Sequence, residues 1–122
     1  MVHGSSVSIL RIFDVDKAME FYCDYLGYSK EWEHQFGEKM PLYISVKSGN
    51  SEIHLSEHHG DSTPGSAIRI HVQGLKDYYN TLKSRNYKFM NPGLEKTPWG
   101  HQVVTVKDPF GNKLTFWEEI QE

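Results

Sequence analysis

Apolar positions along this chain follow two rhythms, and the rhythms alternate in the same order twice. Residues 7–13 form a β-branched and aliphatic run that predicts a strand. Val15, Ala18, Met19, Tyr22 and Leu26 then recur at the spacing of one helix face. Asp14 or Asp16 can cap that helix, and Gly27 supplies a left-handed stop. Strands are predicted over residues 29–36, 41–47 and 51–57, the last two joined by a hairpin turn through Ser48-Gly49-Asn50. The order then restarts. Residues 67–72 predict a strand that Gly74 breaks, Leu75, Tyr78, Tyr79 and Leu82 repeat the helical spacing, and Asn86 can end it. Strands are predicted over 87–91, 101–107 and 113–119, with Asp108-Pro109-Phe110-Gly111-Asn112 as the turn between the last two.

The chain therefore reads as an α+β protein made of two βαβββ modules. They form a curved, cup-shaped mixed sheet with the helices on its outer face. A single domain over residues 1–122 is expected, with module one over about 5–57, a Gly-, Ser- and Pro-rich linker over 58–66, and module two over about 67–119.

Composition narrows the classes. The 122 residues suffice for a core, and no stretch approaches the apolar length of a membrane span. No charged and apolar leader opens the chain, and one cysteine, Cys23, sits in an apolar helical stripe as a packed thiol. A reducing, cytoplasmic setting is expected. A net charge of −3, with basic residues scattered, speaks against nucleic acid as a partner.

The first helix contains Phe21-Tyr22 and ends Tyr25-Leu26-Gly27-Tyr28, and the final hairpin turns through Asp108-Pro109-Phe110-Gly111-Asn112. With the duplicated module, these motifs resemble the vicinal-oxygen-chelate superfamily of glyoxalases, bleomycin-resistance proteins and dioxygenases. The resemblance runs over residues 7–119. Pro98-Trp99-Gly100, leading into the strand at 101–107, is similar to the bleomycin-resistance proteins, where the tryptophan belongs to the drug-binding groove.

Metalloenzymes of that superfamily hold one divalent ion through His or Glu side chains on the first and last strands of each half. An ion that polarises substrate needs about three protein ligands. The resemblance places those positions at Val7, His54, Ala67 and Thr115, of which His54 alone is a competent ligand. No metal, no cofactor and no catalytic residue is expected. Spacing brings no nucleophile and base together. Glu52, Glu57 and Glu118 read as exposed carboxylates, and His3, His34, His58, His59 and His101 as surface histidines.

The expected ligand-binding set is Trp32, Phe36, His54, Arg69, His71, Trp99, Thr115 and Trp117. Strand parity puts His54 and His71 opposite Ile53, Leu55, Ile68 and Ile70, and sets Lys113, Thr115 and Trp117 on the cup face. Flat rings with few polar groups suit planar, partly cationic ligands. Packing in a core or a dimer interface stays open for Trp117 and Phe36. Arg69 stands where the resembled group carries a tryptophan, and a guanidinium there can take an acidic ligand group. The resemblance implies a homodimer whose groove sequesters a bleomycin-like or other planar aromatic compound. Two alternatives are a glyoxalase-like lyase or dioxygenase with a rearranged metal site, and a fold member that binds an unknown metabolite.

Overall fold

Each module closes a four-stranded mixed sheet, because its first strand runs parallel to its last. The computed structural model describes residues 1–87 and 90–120, in two compact units, Met1–Pro64 and Gly65–Glu122. The first unit contains β1 (Ser8–Arg11), α1 (Val15–Met19), β2 (Ser29–Gln35), β3 (Leu42–Ser48) and β4 (Ser51–Ser56). The second contains β5 (Ala67–His71), α2 (Leu75–Arg85), β6 (Leu94–Lys96), β7 (His101–Lys107) and β8 (Lys113–Glu119). The strand orders, β1-β4-β3-β2 and β5-β8-β7-β6, are the same arrangement twice. The α+β class and the two βαβββ modules expected from the sequence are what the molecule forms.

Asp14 caps α1 by accepting from the Lys17 backbone N–H at 3.0 Å. The single α-helix expected up to Leu26 is corrected here. After Met19 the backbone widens into a π-helix, Glu20–Tyr25, before Gly27 turns left-handed at φ 87°. The buried set changes accordingly: Ala18, Phe21, Tyr22, Tyr25 and Leu26 are buried, whereas Val15 and Met19 are not. Leu10, Ile44, Val46, Ile53 and Leu55 are buried from the sheet. In the second unit Tyr78 of α2 packs edge-on against Phe116 of β8 at 5.1 Å. Leu75, Leu82, Val104, Val106 and Leu114 are buried as well.

One predicted strand is misplaced. Lys88 and Phe89 lie outside the described residues. Of the remaining residues of that prediction, Tyr87, Met90 and Asn91 are not in a strand, and the Met90 N–H donates to the Tyr87 carbonyl at 3.1 Å. Pairing starts only after Pro92-Gly93, at Leu94–Lys96. The hairpin itself dictates this place. The Thr97 N–H donates to the His101 carbonyl at 2.8 Å, and the His101 N–H donates to Thr97 Oγ1 at 3.0 Å. This clasp sets Lys96 opposite Gln102, so the partner strand must directly precede Thr97.

Two long-range ties hold the second unit. The nearly buried Asp108 accepts at Oδ1 from the backbone N–H groups of Phe110 and Asn112, and at Oδ2 from the Asn112 side-chain amide, at 2.8–2.9 Å. Asn112 Oδ1 then accepts from the Ser66 N–H at 3.2 Å, tying the turn to the entrance of β5. Glu118, expected to be a free surface carboxylate, instead accepts from the N–H groups of Gly74 and Leu75 at 2.9 and 3.1 Å. It thus caps α2, which lacks a capping side chain of its own. The Leu75 and Gly74 N–H groups hold its carboxyl below the usual glutamate range.

Asp108→Ala leaves several amide donors without their acceptor and should cost about 3 kcal/mol in urea unfolding, with the slope unchanged. Because Glu118 is more acidic in the fold than in the open chain, its contribution is present above the unfolded glutamate range and fades as pH falls through the lowered folded range. Glu118→Ala should remove about 1 kcal/mol near neutral pH and flatten this part of the acid limb. An unchanged acid limb would show that the cap contributes nothing.

Candidate functional site

Strand alternation sends one set of side chains under the helices and the other to the helix-free face. In the first unit that open face carries Tyr43 and Ser45 of β3, Glu52 and His54 of β4, and Trp32 of β2. Ser45 sits in register between Trp32 and His54. Trp32 stacks on Tyr43 with ring centroids 5.9 Å apart and planes 12° apart, and meets His54 edge-on at 5.1 Å. Its indole remains 46% exposed.

Beneath that ring runs a hydrogen-bonded relay. The Tyr43 hydroxyl lies 2.6 Å from His54 Nδ1, and His54 Nε2 lies 2.7 Å from Glu52 Oε2. A carboxylate only accepts, so in the neutral imidazole the Nε2 proton donates to Glu52 and Nδ1 accepts from the phenol. Burial, then the charges of Asp61 and Glu52, push the Tyr43 hydroxyl above the usual tyrosine range, which keeps it a donor. Phe36 stands apart from this cluster. It lies just past β2, 80% exposed, edge-on to His34 at 4.4 Å. With Met40, Pro41, Leu42 and Tyr43 it lines a pocket of about 310 Å³.

The open face of the second unit centres on Trp117. His101 stacks on it at 4.4 Å with planes 17° apart, and His71 leans against it at 4.6 Å. The Arg69 guanidinium lies 5.7 Å from the Trp117 ring centroid. His101 Nδ1 receives the Trp99 indole N–H at 3.1 Å and faces Arg69 Nη2 at 3.4 Å. Trp99 is thereby held by its edge while the ring stays 63% exposed. Thr115 is only 8% exposed, 3.3 Å from the Thr105 hydroxyl.

The structure thus brings Trp32 together with His54, and Arg69, His71, Trp99 and Trp117 together around His101. Sequence reasoning missed three members: Tyr43, Glu52 and His101. Parity was the available signal for Tyr43, which alternates with Ile44 and Val46. His101, read as a surface histidine, is the hub of the second cluster.

The positions at which superfamily metalloenzymes carry ligands do not fit an ion. Val7 and Ala67 have no donor atom, Thr115 engages Thr105, and both ring nitrogens of His54 are already bonded. Among the described residues no group of three His, Cys, Asp or Glu side chains could hold a metal. Cys23, the lone thiol, is raised by burial and by Asp24, which disfavours the nucleophilic thiolate.

A family model described as "Glyoxalase superfamily protein" matches residues 2–122. The chain belongs to the glyoxalase superfamily. Among superfamily relatives, the bleomycin resistance protein of Geobacillus stearothermophilus is 26% identical, over 95% of this chain and 97% of its own. A Synechocystis protein named "Probable lactoylglutathione lyase" is 27% identical over 88% of each chain. The bleomycin-binding protein of bleomycin-producing Streptomyces verticillus, solved with copper(II)-bleomycin, superposes with a TM-score of 0.68 and 26% identity over the full length of both chains. No helix among the described residues is long and apolar enough to cross a membrane.

The relay makes a checkable statement about His54. Long-range ¹H–¹⁵N spectra should show it as the Nε2–H tautomer, and Glu52→Ala should give a tautomer mixture with the fold intact. The Nδ1–H form in the unaltered chain would refute the assignment.

Proposed function

We propose that this chain is a bleomycin-resistance-like binding protein that sequesters a planar aromatic compound without a metal and without turnover. The reading is carried by Trp99, an indole fixed at its N–H by His101 while its flat face stays in solvent. A large exposed ring held rigidly is preorganised for stacking, because little side-chain entropy remains to be lost on binding. On the open face of the second unit, Trp117, His71, Arg69 and Thr115 supply further rings and polar groups beside it; the first unit carries its own exposed rings, Trp32 beside His54 and, apart from them, Phe36.

Metal independence is supported by Val7, Ala67 and Thr115 standing where donors would be needed. A homodimeric groove is supported by the exposed Ile9, Phe13 and Trp32, an apolar set that a second copy would cover. The bleomycin resistance and bleomycin-binding relatives point the same way. The Synechocystis relative favours a second reading, a glyoxalase-like lyase with a rearranged metal site.

Titration with bleomycin should quench tryptophan fluorescence at micromolar drug. Trp99→Ala should weaken binding by about thirtyfold, the size of a loss of about 2 kcal/mol, with an unchanged circular dichroism spectrum. Absence of quenching would reject bleomycin-like ligands and leave an unknown metabolite. Stoichiometric zinc, nickel or iron in the purified protein would instead establish the lyase or dioxygenase reading.

A further inference from the structure

The two modules are built alike, yet the open faces of their last hairpins carry opposite charge logic. In the first, the open-face pair nearest the turn is Lys47 opposite Glu52, a complementary pair. In the second, the corresponding pair is Lys107 opposite Lys113. Two ammonium groups directly across adjacent strands repel, and nothing in the hairpin requires them, as the first module demonstrates.

Register places a third cation beside them. Ala67 pairs with Lys113, and Arg69, two residues on and therefore on the same face, pairs with Thr115, which pairs with Thr105. Arg69, Lys107 and Lys113 thus surround two neighbouring threonine hydroxyls. All three cations are exposed, and none has a carboxylate partner among the described residues. The nearest acid in sequence, Asp108, is turned into its own turn by the Phe110 and Asn112 donors. Glu119 of β8 shares the face but lies six strand residues from Lys113, roughly 20 Å away; it stands opposite His101, and its carboxylate lies 3.9 Å from His71 Nε2. The cations are therefore uncompensated at the point where β5, β7 and β8 meet.

One row further along the same face stands Trp117, on which His101 stacks from the row beyond, with Arg69 reaching toward both rings. We infer that this face of the second unit is an oxyanion subsite joined to a ring platform. It takes a planar aromatic group bearing a carboxylate or phosphate, with the ring against Trp117 and His101 and the oxyanion among Arg69, Lys107 and Lys113. Arg69 is the specificity-determining residue, since it stands on the row between the lysine pair and Trp117 and its fork suits oxyanion geometry. The inference rests on the binding-protein reading above only in taking this face as ligand-facing, and it adds the charge of the ligand.

Isothermal titration calorimetry on the full chain tests it with three compounds that share one ring: 2-naphthoate, 2-naphthyl phosphate and the uncharged 2-naphthamide. At least one anion should bind about tenfold more tightly than the amide, an advantage that shrinks as sodium chloride is raised. The tighter of the two identifies carboxylate or phosphate as the preferred source. Arg69→Gln, and the double variant Lys107→Gln with Lys113→Gln, should each bring anion and amide to within about twofold, whereas Lys76→Gln on exposed α2 should leave the preference intact. Equal binding of all three compounds, binding of none, or a preference that survives both sets of variants would overturn the subsite. If bleomycin still quenches fluorescence in that event, the binding-protein reading stands and only the oxyanion subsite falls.

Discussion

The parallel pairing of each module's first strand with its last is the constraint on which the rest depends. β1 hydrogen-bonds to β4, and β5 to β8, so each helix must cross back over its own sheet to connect the ends. That crossing covers one face with aliphatic side chains. The two-residue period of the strands then delivers every intervening residue to the uncovered face. His54 and Thr115 therefore occupy comparable places on the last strands of their modules, whatever chemistry each supplies. The duplicated frame fixes the places, and the residues standing at them decide between an ion and a ring.

In this chain those residues favour rings held at their polar edges. His54 is committed at both nitrogens, and His101 Nδ1 is shared between Trp99 and Arg69. An imidazole engaged in this way orients its neighbours more readily than it binds a metal, because a ligand nitrogen needs a free lone pair. The second unit combines this with a run of uncompensated cations, so neighbouring parts of one open face differ sharply in polarity.

Much of this was legible along the chain, and the exceptions have physical causes. Parity alone located His54, His71, Thr115 and Trp117, since each alternates with residues of clear apolar character. Tyr43 escaped although parity sets it opposite Ile44 and Val46, because an aromatic ring beside Leu42 and Ile44 suits a core as well as an open face. His101 escaped because Val103 and Val104 interrupt the alternation beside it. The capping role of Glu118 left no local trace, as its partner Leu75 lies 43 residues away. The π-helical turn went unseen because the stripe at 15, 18, 19, 22 and 26 satisfies ordinary helical spacing. The second strand of module two, β6, is short and follows Pro92-Gly93, so its place is set by the Thr97 clasp more than by its own residues.

The Glu118 cap has a consequence for synthesis on the ribosome. β5 waits for β8 as its neighbour, α2 waits for a carboxylate on β8, and the Asp108–Asn112 turn must form before either arrives. The residues that supply these partners, on β8 and its preceding turn, are translated well after the first unit. The first unit has every strand in hand once Ser56 has emerged, and can close while the second is still being threaded out. A ribosome stalled shortly before Glu118 would thus carry one finished half and one that has its helix sequence but nothing to seat it, a natural point for chaperone capture.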